Sequence, residues 1–122
     1  MPSKIRIVGE LNRKAIIKSL DKKWSEAVRG RGGCALCGKT TDLQAHHIRS
    51  RRSLGTRWLL TNGVCLCRHC HLFVIHRDTL AAADFYFEHI GRDQLNALRV
   101  LSGKPTHYST AELKLLLDNW KN

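Results

Sequence analysis

Apolar positions along the first quarter of the chain recur at nearly helical spacing. In LNRKAIIKSLDKKWSEAVRGRGG, Leu11, Ile16, Leu20, Trp24 and Val28 fall close to one face, with Arg13, Lys14, Lys18, Lys22 and Lys23 on the others. That period predicts an amphipathic helix over 11–29 with Trp24 as a core anchor, stopped by Gly30, Gly32 and Gly33. The pattern then shortens. LQAHHI reads as a short strand, and NGVCLC as a turn dipeptide running into a second short apolar strand or turn. A helix is expected to start around CRHC and to carry RHCHLFVIH. After Arg77, TLAAADFYFEHIG, RDQLNALRVLSG and STAELKLLLDNWKN read as three more helices. Thr79 and Ser109 stand at their N-cap positions, Gly91 and Gly103 at stops, and Ser109 with Glu112 fits a capping box.

With 122 residues, one compact domain is the expectation. It divides into a basic N-terminal helix (1–33), a middle segment holding the unusual chemistry (34–77) and a helical extension (78–122). No apolar run approaches the length of a membrane span, and the N-terminus lacks the apolar stretch of a secretory signal. A soluble protein of the cytoplasm, bacterial or of a phage-infected cell, is the expectation. Charge adds direction. Residues 1–60 hold 14 basic and 4 acidic residues, whereas 61–122 hold 7 and 6. So lopsided a distribution points to a polyanion, since each phosphate neutralised releases condensed counterions. No basic amphipathic segment with exposed aromatics supports a membrane surface as that polyanion.

Two Cys-x-x-Cys pairs, Cys34/Cys37 and Cys67/Cys70, are separated by 29 residues. In a chain without a secretory signal, paired cysteines favour metal ligation over disulfides, and four thiolates suit a closed tetrahedral zinc site. Such a site leaves no open position for catalysis, so any reaction centre must sit elsewhere. Cys65 is left over and is expected to pack inward. A zinc nucleoside deaminase is excluded: neither His-x-Glu nor a proline before either cysteine pair is present.

Between and beside the cysteine pairs stand LQAHHI, TNGVCLC and CRHCH, in that order. Over residues 34–76 this arrangement resembles the HNH endonucleases, particularly the small phage and mobile-element type. The resemblance implies an α+β architecture: a small ββα-metal core, here stabilised by the four-cysteine zinc site and flanked by the N-terminal helix and the helical tail. Carried over by position, it makes His47 the general base and His46 and His71 ligands of a catalytic metal. Asn62 would hold the loop that orients His47. The implied activity is metal-dependent hydrolysis of DNA to 5′-phosphate and 3′-hydroxyl ends, by nicking or double-strand cleavage.

The residue types suit that chemistry on their own terms. Imidazole can deprotonate water near neutral pH, and a divalent cation offsets charge gathering on phosphate and leaving oxygen. A site of imidazoles favours Mn²⁺, Ni²⁺, Co²⁺ or Zn²⁺, although Mg²⁺ can serve where phosphate and water supply most ligands. Adjacent strand residues point to opposite faces, so His46 and His47 share one site only if the strand ends or bends there. His76 follows His71 by five residues, about 140° round an α-helix; it joins the same ion only if the helix ends or distorts first. Of the other histidines, His89 and His107 are expected to be structural, and His69 to hydrogen-bond or contact DNA. Arg49, Arg51, Arg52 and Arg57 form a basic loop suited to clamping phosphates, with Trp58 packing beneath it. The expected partner is double-stranded or branched DNA, bound with little sequence preference. The rival reading is a non-catalytic zinc-knuckle module that binds nucleic acid or docks a partner. A third is a nuclease subunit of a larger phage packaging or recombination machine, and the sequence leaves a homodimer or a phage or host protein partner open.

Overall fold

The computed structural model describes residues 2–120, with side chains from Asn12 onward. Helix α1 (Pro2–Arg29) leads into the first cysteine pair, followed by strand β1 (Leu43–His47), a 3₁₀ turn (Leu60–Asn62) and strand β2 (Gly63–Cys67). A π-helical segment (Cys70–Ile75) follows, then α2 (Thr79–Phe85) continuing into a second π-helical stretch (Tyr86–Ile90), α3 (Arg92–Gly103) and α4 (Thr110–Asp118). The architecture is α+β, a two-stranded antiparallel hairpin with a helix after it and a four-cysteine cluster beside it, consistent with a small ββα-metal core. Among the described residues, no helix is long and apolar enough to cross a membrane.

The hairpin lies between two helical layers, which is why all five residues of β2 are buried. On one side Leu20, Trp24 and Val28 of α1 pack with Cys65, Trp58 and Leu113 of α4. On the other, Val64 and Leu66 pack with Ile75, Ala82 and Phe85. The i, i+4, i+8 spacing of Leu20, Trp24 and Val28 makes the buried stripe of α1. Leu11, which the sequence pattern adds to that stripe, has its side chain outside the described residues. Cys65 packs inward and Trp58 beneath the loop.

Registration of the hairpin places His46 opposite Val64 and His47 opposite Gly63. Gly63 is required there by close approach. A Cβ at this position would come within 2.5 Å of Val28 Cγ2 and 2.9 Å of Trp24 Cζ2, so its absence lets α1 lie directly on the end of the sheet.

Several boundaries differ from the sequence pattern. Helix α1 starts at Pro2 rather than Leu11. Asp78, not Thr79, caps α2, its carboxylate accepting from the Ala81 amide at 3.0 Å. Gly103 is the last residue of α3 rather than a stop beyond it, while Gly91, at φ 93°, does end the stretch before it. The capping box of Ser109 and Glu112 is present. The last predicted helix runs to Asn122, whereas α4 ends at Asp118, and 121–122 lie outside the described residues.

Candidate active site

Among the described residues, two separate clusters of metal-ligating side chains flank the hairpin. The first joins Cys34 and Cys37 of the first knuckle with Cys67 at the end of β2 and Cys70 at the start of the π-helical segment, all four sulfurs within 4.8 Å of one another. The knuckle closes on Gly38, whose positive φ of 80° allows its amide to donate to the Cys34 carbonyl at 2.8 Å. Thiolates about 2.3 Å from a tetrahedral zinc sit about 3.8 Å apart; Cys37 Sγ and Cys67 Sγ are 3.7 Å apart. Burial opposes ionisation of Cys34, but hydrogen bonds from the backbone of Cys67, Cys37 and Leu36 bring its thiol down to about 6. Spacing and donor type both fit zinc.

The second cluster is His46, His71 and His76, one ring nitrogen from each lying within 4.8 Å of the others. His76 arrives through the helix type. From Cys70 to Ile75 the turns are π-helical, and the His76 amide donates to the His71 carbonyl, five residues back, at 3.3 Å. The wider turn brings residues five apart over one another. The ring centroids of His71 and His76 are accordingly 4.7 Å apart, not on divergent faces as α-helical geometry would place them.

Hydrogen bonds set which nitrogens face inward. His71 Nδ1 donates to Gln44 Oε1 at 2.7 Å, leaving Nε2 with its lone pair. That Nε2 lies 3.1 Å from His46 Nδ1. For both facing nitrogens to bind one ion, His46 must carry its proton on Nε2, which donates to the Tyr86 hydroxyl at 2.7 Å. Burial, then the neighbouring charges of His71, His76 and His47, pull His46 down to about 4. His71 is lowered by burial and by His76, and burial raises Tyr86, keeping its hydroxyl protonated. Three imidazoles with two outer nitrogens anchored make a metal-ready set; the chemistry admits Zn²⁺, Ni²⁺, Co²⁺ and Mn²⁺.

Replacing Tyr86 by Phe removes the acceptor for His46 Nε2–H and leaves that group buried and unpaired. The expected result is roughly a 10–100-fold loss of divalent-metal affinity at the histidine site, read by isothermal titration of the Tyr86→Phe protein with Mn²⁺. Unchanged affinity would mean that Tyr86 does not orient this ligand.

His47 occupies the opposite side of β1. The strand runs straight through both histidines, so Gln44 and His46 face the π-helical segment while Leu43, Ala45 and His47 face α1. The bend that would bring His46 and His47 onto one face is absent. Instead His47 stacks flat on Trp24, ring centroids 3.8 Å apart and planes within 10°, at the end of the sheet one residue from the metal cluster. Its Nε2 donates to the Arg57 carbonyl at 3.0 Å. A carbonyl only accepts, so the proton sits on Nε2 and the lone pair on Nδ1. Burial lowers the His47 pKa, partly countered by that carbonyl bond.

Asn62 is fully buried in the 3₁₀ turn. Its side-chain amide accepts from Arg49 N at 2.8 Å and donates to Arg49 O at 3.1 Å, while its carbonyl receives the Ile48 amide at 2.9 Å. The two segments are thus tied together two residues beyond His47.

The four arginines part ways. Arg57 is only 14% exposed and grips Asp21 of α1 with two N–H groups, Nε at 3.0 Å and Nη2 at 2.7 Å. Arg51, 64% exposed, reaches the same carboxylate at 3.3 Å. Burial works against ionisation of Asp21, yet the Arg57 and Trp58 hydrogen bonds and the charges of Arg57 and Arg51 outweigh it and lower its pKa. Arg49 is held by Ser102 Oγ at 2.9 Å, and the exposed guanidinium of Arg52 has no bound partner among the described residues. Arg49 and Arg52, with Ile48, Ser50, Ser53 and Ser102, line an open cleft of about 600 Å³. The largely committed Arg57 is a structural tie, and the cleft's basic edge is Arg49 and Arg52.

Gln44, Tyr86, Trp24 and Asp21 complete this arrangement, and sequence spacing did not single them out for it. Gln44 carried a usable signal, since two residues before His46 on a strand means the same face. Tyr86 and Asp21 carried none. Residues 34–73 match the family model described as HNH endonuclease. No curated protein and no solved structure matches the chain.

Proposed function

Given an HNH endonuclease domain at residues 34–73, and a family that is generally one of nucleases, we propose that this protein is a metal-dependent DNA endonuclease that hydrolyses phosphodiester bonds with low sequence specificity. The observation that carries the proposal is the pairing, across one strand end, of a three-imidazole cluster with a histidine whose free nitrogen is set by a backbone carbonyl.

His46, His71 and His76 would hold the catalytic ion, and Cys34, Cys37, Cys67 and Cys70 a separate structural zinc. An ion bound there would supply positive charge against the phosphate and the leaving oxygen. His47, with Nε2–H held by the Arg57 carbonyl, takes the proton of the attacking water on Nδ1. Asn62 keeps the chain after His47 from rotating the base away. Arg49 and Arg52 seat the flanking phosphates in the open cleft, and contacts of that kind position a backbone without reading sequence. Attack on phosphorus with departure of the 3′-oxygen leaves 5′-phosphate and 3′-hydroxyl ends.

The test is nicking of supercoiled plasmid in the presence of Mg²⁺, Mn²⁺, Co²⁺, Ni²⁺ or Zn²⁺, by wild type and by His71→Ala. Wild type is expected to nick with at least one ion. His71→Ala, missing a ligand from the middle of the cluster, is expected to need far more of that ion or to fail. Equal, metal-independent nicking by both proteins would refute the proposal.

A further inference from the structure

The base proposed above is held from outside the nuclease core. Two contacts fix the His47 ring: the face of Trp24 and the carbonyl of Arg57. Trp24 belongs to α1, and the Arg57 backbone is itself anchored to α1 through Asp21. Three N–H groups of the Arg57–Trp58 dipeptide converge on that one carboxylate: Arg57 Nε at 3.0 Å, Arg57 Nη2 at 2.7 Å and Trp58 Nε1 at 2.8 Å. Asp21 and Trp24 stand three residues apart, one turn of helix, and so share the face turned toward the hairpin. One face of α1 therefore fixes both walls of the slot in which the His47 ring lies. Neither residue falls within 34–73.

We infer that Asp21 is a positioning residue for the reaction: by clamping Arg57 and Trp58 it places the Arg57 carbonyl, which in turn keeps the His47 proton on Nε2 and leaves Nδ1 free to act as base. The bidentate geometry matters, because a guanidinium fork on a carboxylate fixes direction as well as distance. Trp58 donates to the same carboxylate from a ring buried in the cluster of Leu20 and Leu113, so the dipeptide is pinned at two points and its intervening carbonyl cannot turn. This role rests on the reading of His47 as base. It gives the basic helix a part in catalysis distinct from contact with phosphates.

The test uses the full chain with two single variants, Asp21→Asn and Arg57→Leu, and the double variant. Asn retains an acceptor for Trp58 but loses the charge and the second acceptor that Arg57 grips. Each single variant is expected to lose about 10–100-fold in kcat, as small misplacements of a catalytic group do, with KM for plasmid within about twofold for Asp21→Asn. The double variant should be no slower than the slower single one, because both cut the same link.

A merely structural role would not move the second readout, the imidazole ¹⁵N spectrum of His47. Wild type should show Nε2–H with a bare Nδ1, and both variants a mixture of tautomers, while Mn²⁺ affinity at the histidine cluster stays at the wild-type value. The inference is overturned if the variants keep the wild-type tautomer, or if kcat falls only together with metal affinity and cooperative melting. If His47→Ala cuts like wild type, the reading of the base has failed; the tautomer spectrum, which needs no activity, still decides whether Asp21 sets the ring.

Discussion

His47→Ala is expected to slow plasmid nicking by about 10²–10⁴-fold, the usual contribution of a positioned general base, while leaving the protein folded and still able to bind metal. The opposite-face arrangement is what separates these effects. His46, His71 and His76 form their cluster with Gln44 and Tyr86 on the side of the π-helical segment, across the strand from the His47 ring. The substitution leaves the Arg57 carbonyl without its donor and a gap against Trp24. A lost buried hydrogen bond costs about 1–3 kcal/mol, against a total stability of roughly 5–15 kcal/mol for a small domain. Mn²⁺ titration should therefore be close to wild type, and the thermal melt still cooperative though lowered by several degrees, while the rate collapses. Wild-type nicking by His47→Ala would defeat the assignment of His47 as base, whereas no nicking by either protein with any of the ions would favour the reading of a binding module with spare histidines.

Removal of the structural zinc is expected to have the largest effect on folding. The four sulfurs come from three places: the loop after α1, the end of β2 and the first residue of the π-helical segment. A zinc there would tie the loop after α1 to the end of β2 and the start of the π-helical segment, where a two-stranded hairpin, too small to be stable alone, relies otherwise on the two buried clusters that cover it. Binding of zinc to four-ligand sites contributes on the order of 10–16 kcal/mol in small peptides, comparable with or above the whole stability of such a domain. Cys70 and His71 are consecutive, so the π-helical turn that delivers His71 and His76 starts on a residue of the cysteine cluster. Cys37→Ser, which leaves every histidine in place, is expected to bind less than one zinc per chain, to lose its cooperative thermal transition and to bind catalytic metal weakly. Dialysis against a strong chelator should reproduce the loss in wild type, and added zinc should reverse it. A Cys37→Ser protein melting like wild type would show that the cysteine cluster does not hold the fold.

The parts legible in the sequence are those whose chemistry is local. Cys-x-x-Cys places two ligands in one turn, and two such pairs point to one ion whatever lies between. Leu20, Trp24 and Val28 announce a buried helical stripe by their spacing alone. The antagonism between His46 and His47 was legible too, since a strand's period of two puts neighbours on opposite faces; what could not be read is that the strand continues through both instead of bending. His76 was obscured by the assumption of α-helical geometry. The π-helical turn that rescues it depends on how Cys70 and Ile75 pack between β2 and α2, which no window of sequence displays. Arg57 shows the other limit. Its charge is plain, but its partner Asp21 lies 36 residues away, and a basic loop looks the same whether its arginines face phosphate or a helix of the same chain.

The alternation along β1 makes parity a functional variable. On the roles proposed here, Gln44 and His46 would serve the metal side, and His47 the base side, in a strand of five residues. Slipping the hairpin by one residue would turn every side chain to the other face, exchanging the two histidines' surroundings and dismantling both halves of the chemistry at once. A fully buried β2 makes such a slip costly in packing as well. An insertion of one residue between Leu43 and His47 that is not absorbed as a bulge would thus change the face of every strand residue on one side of it.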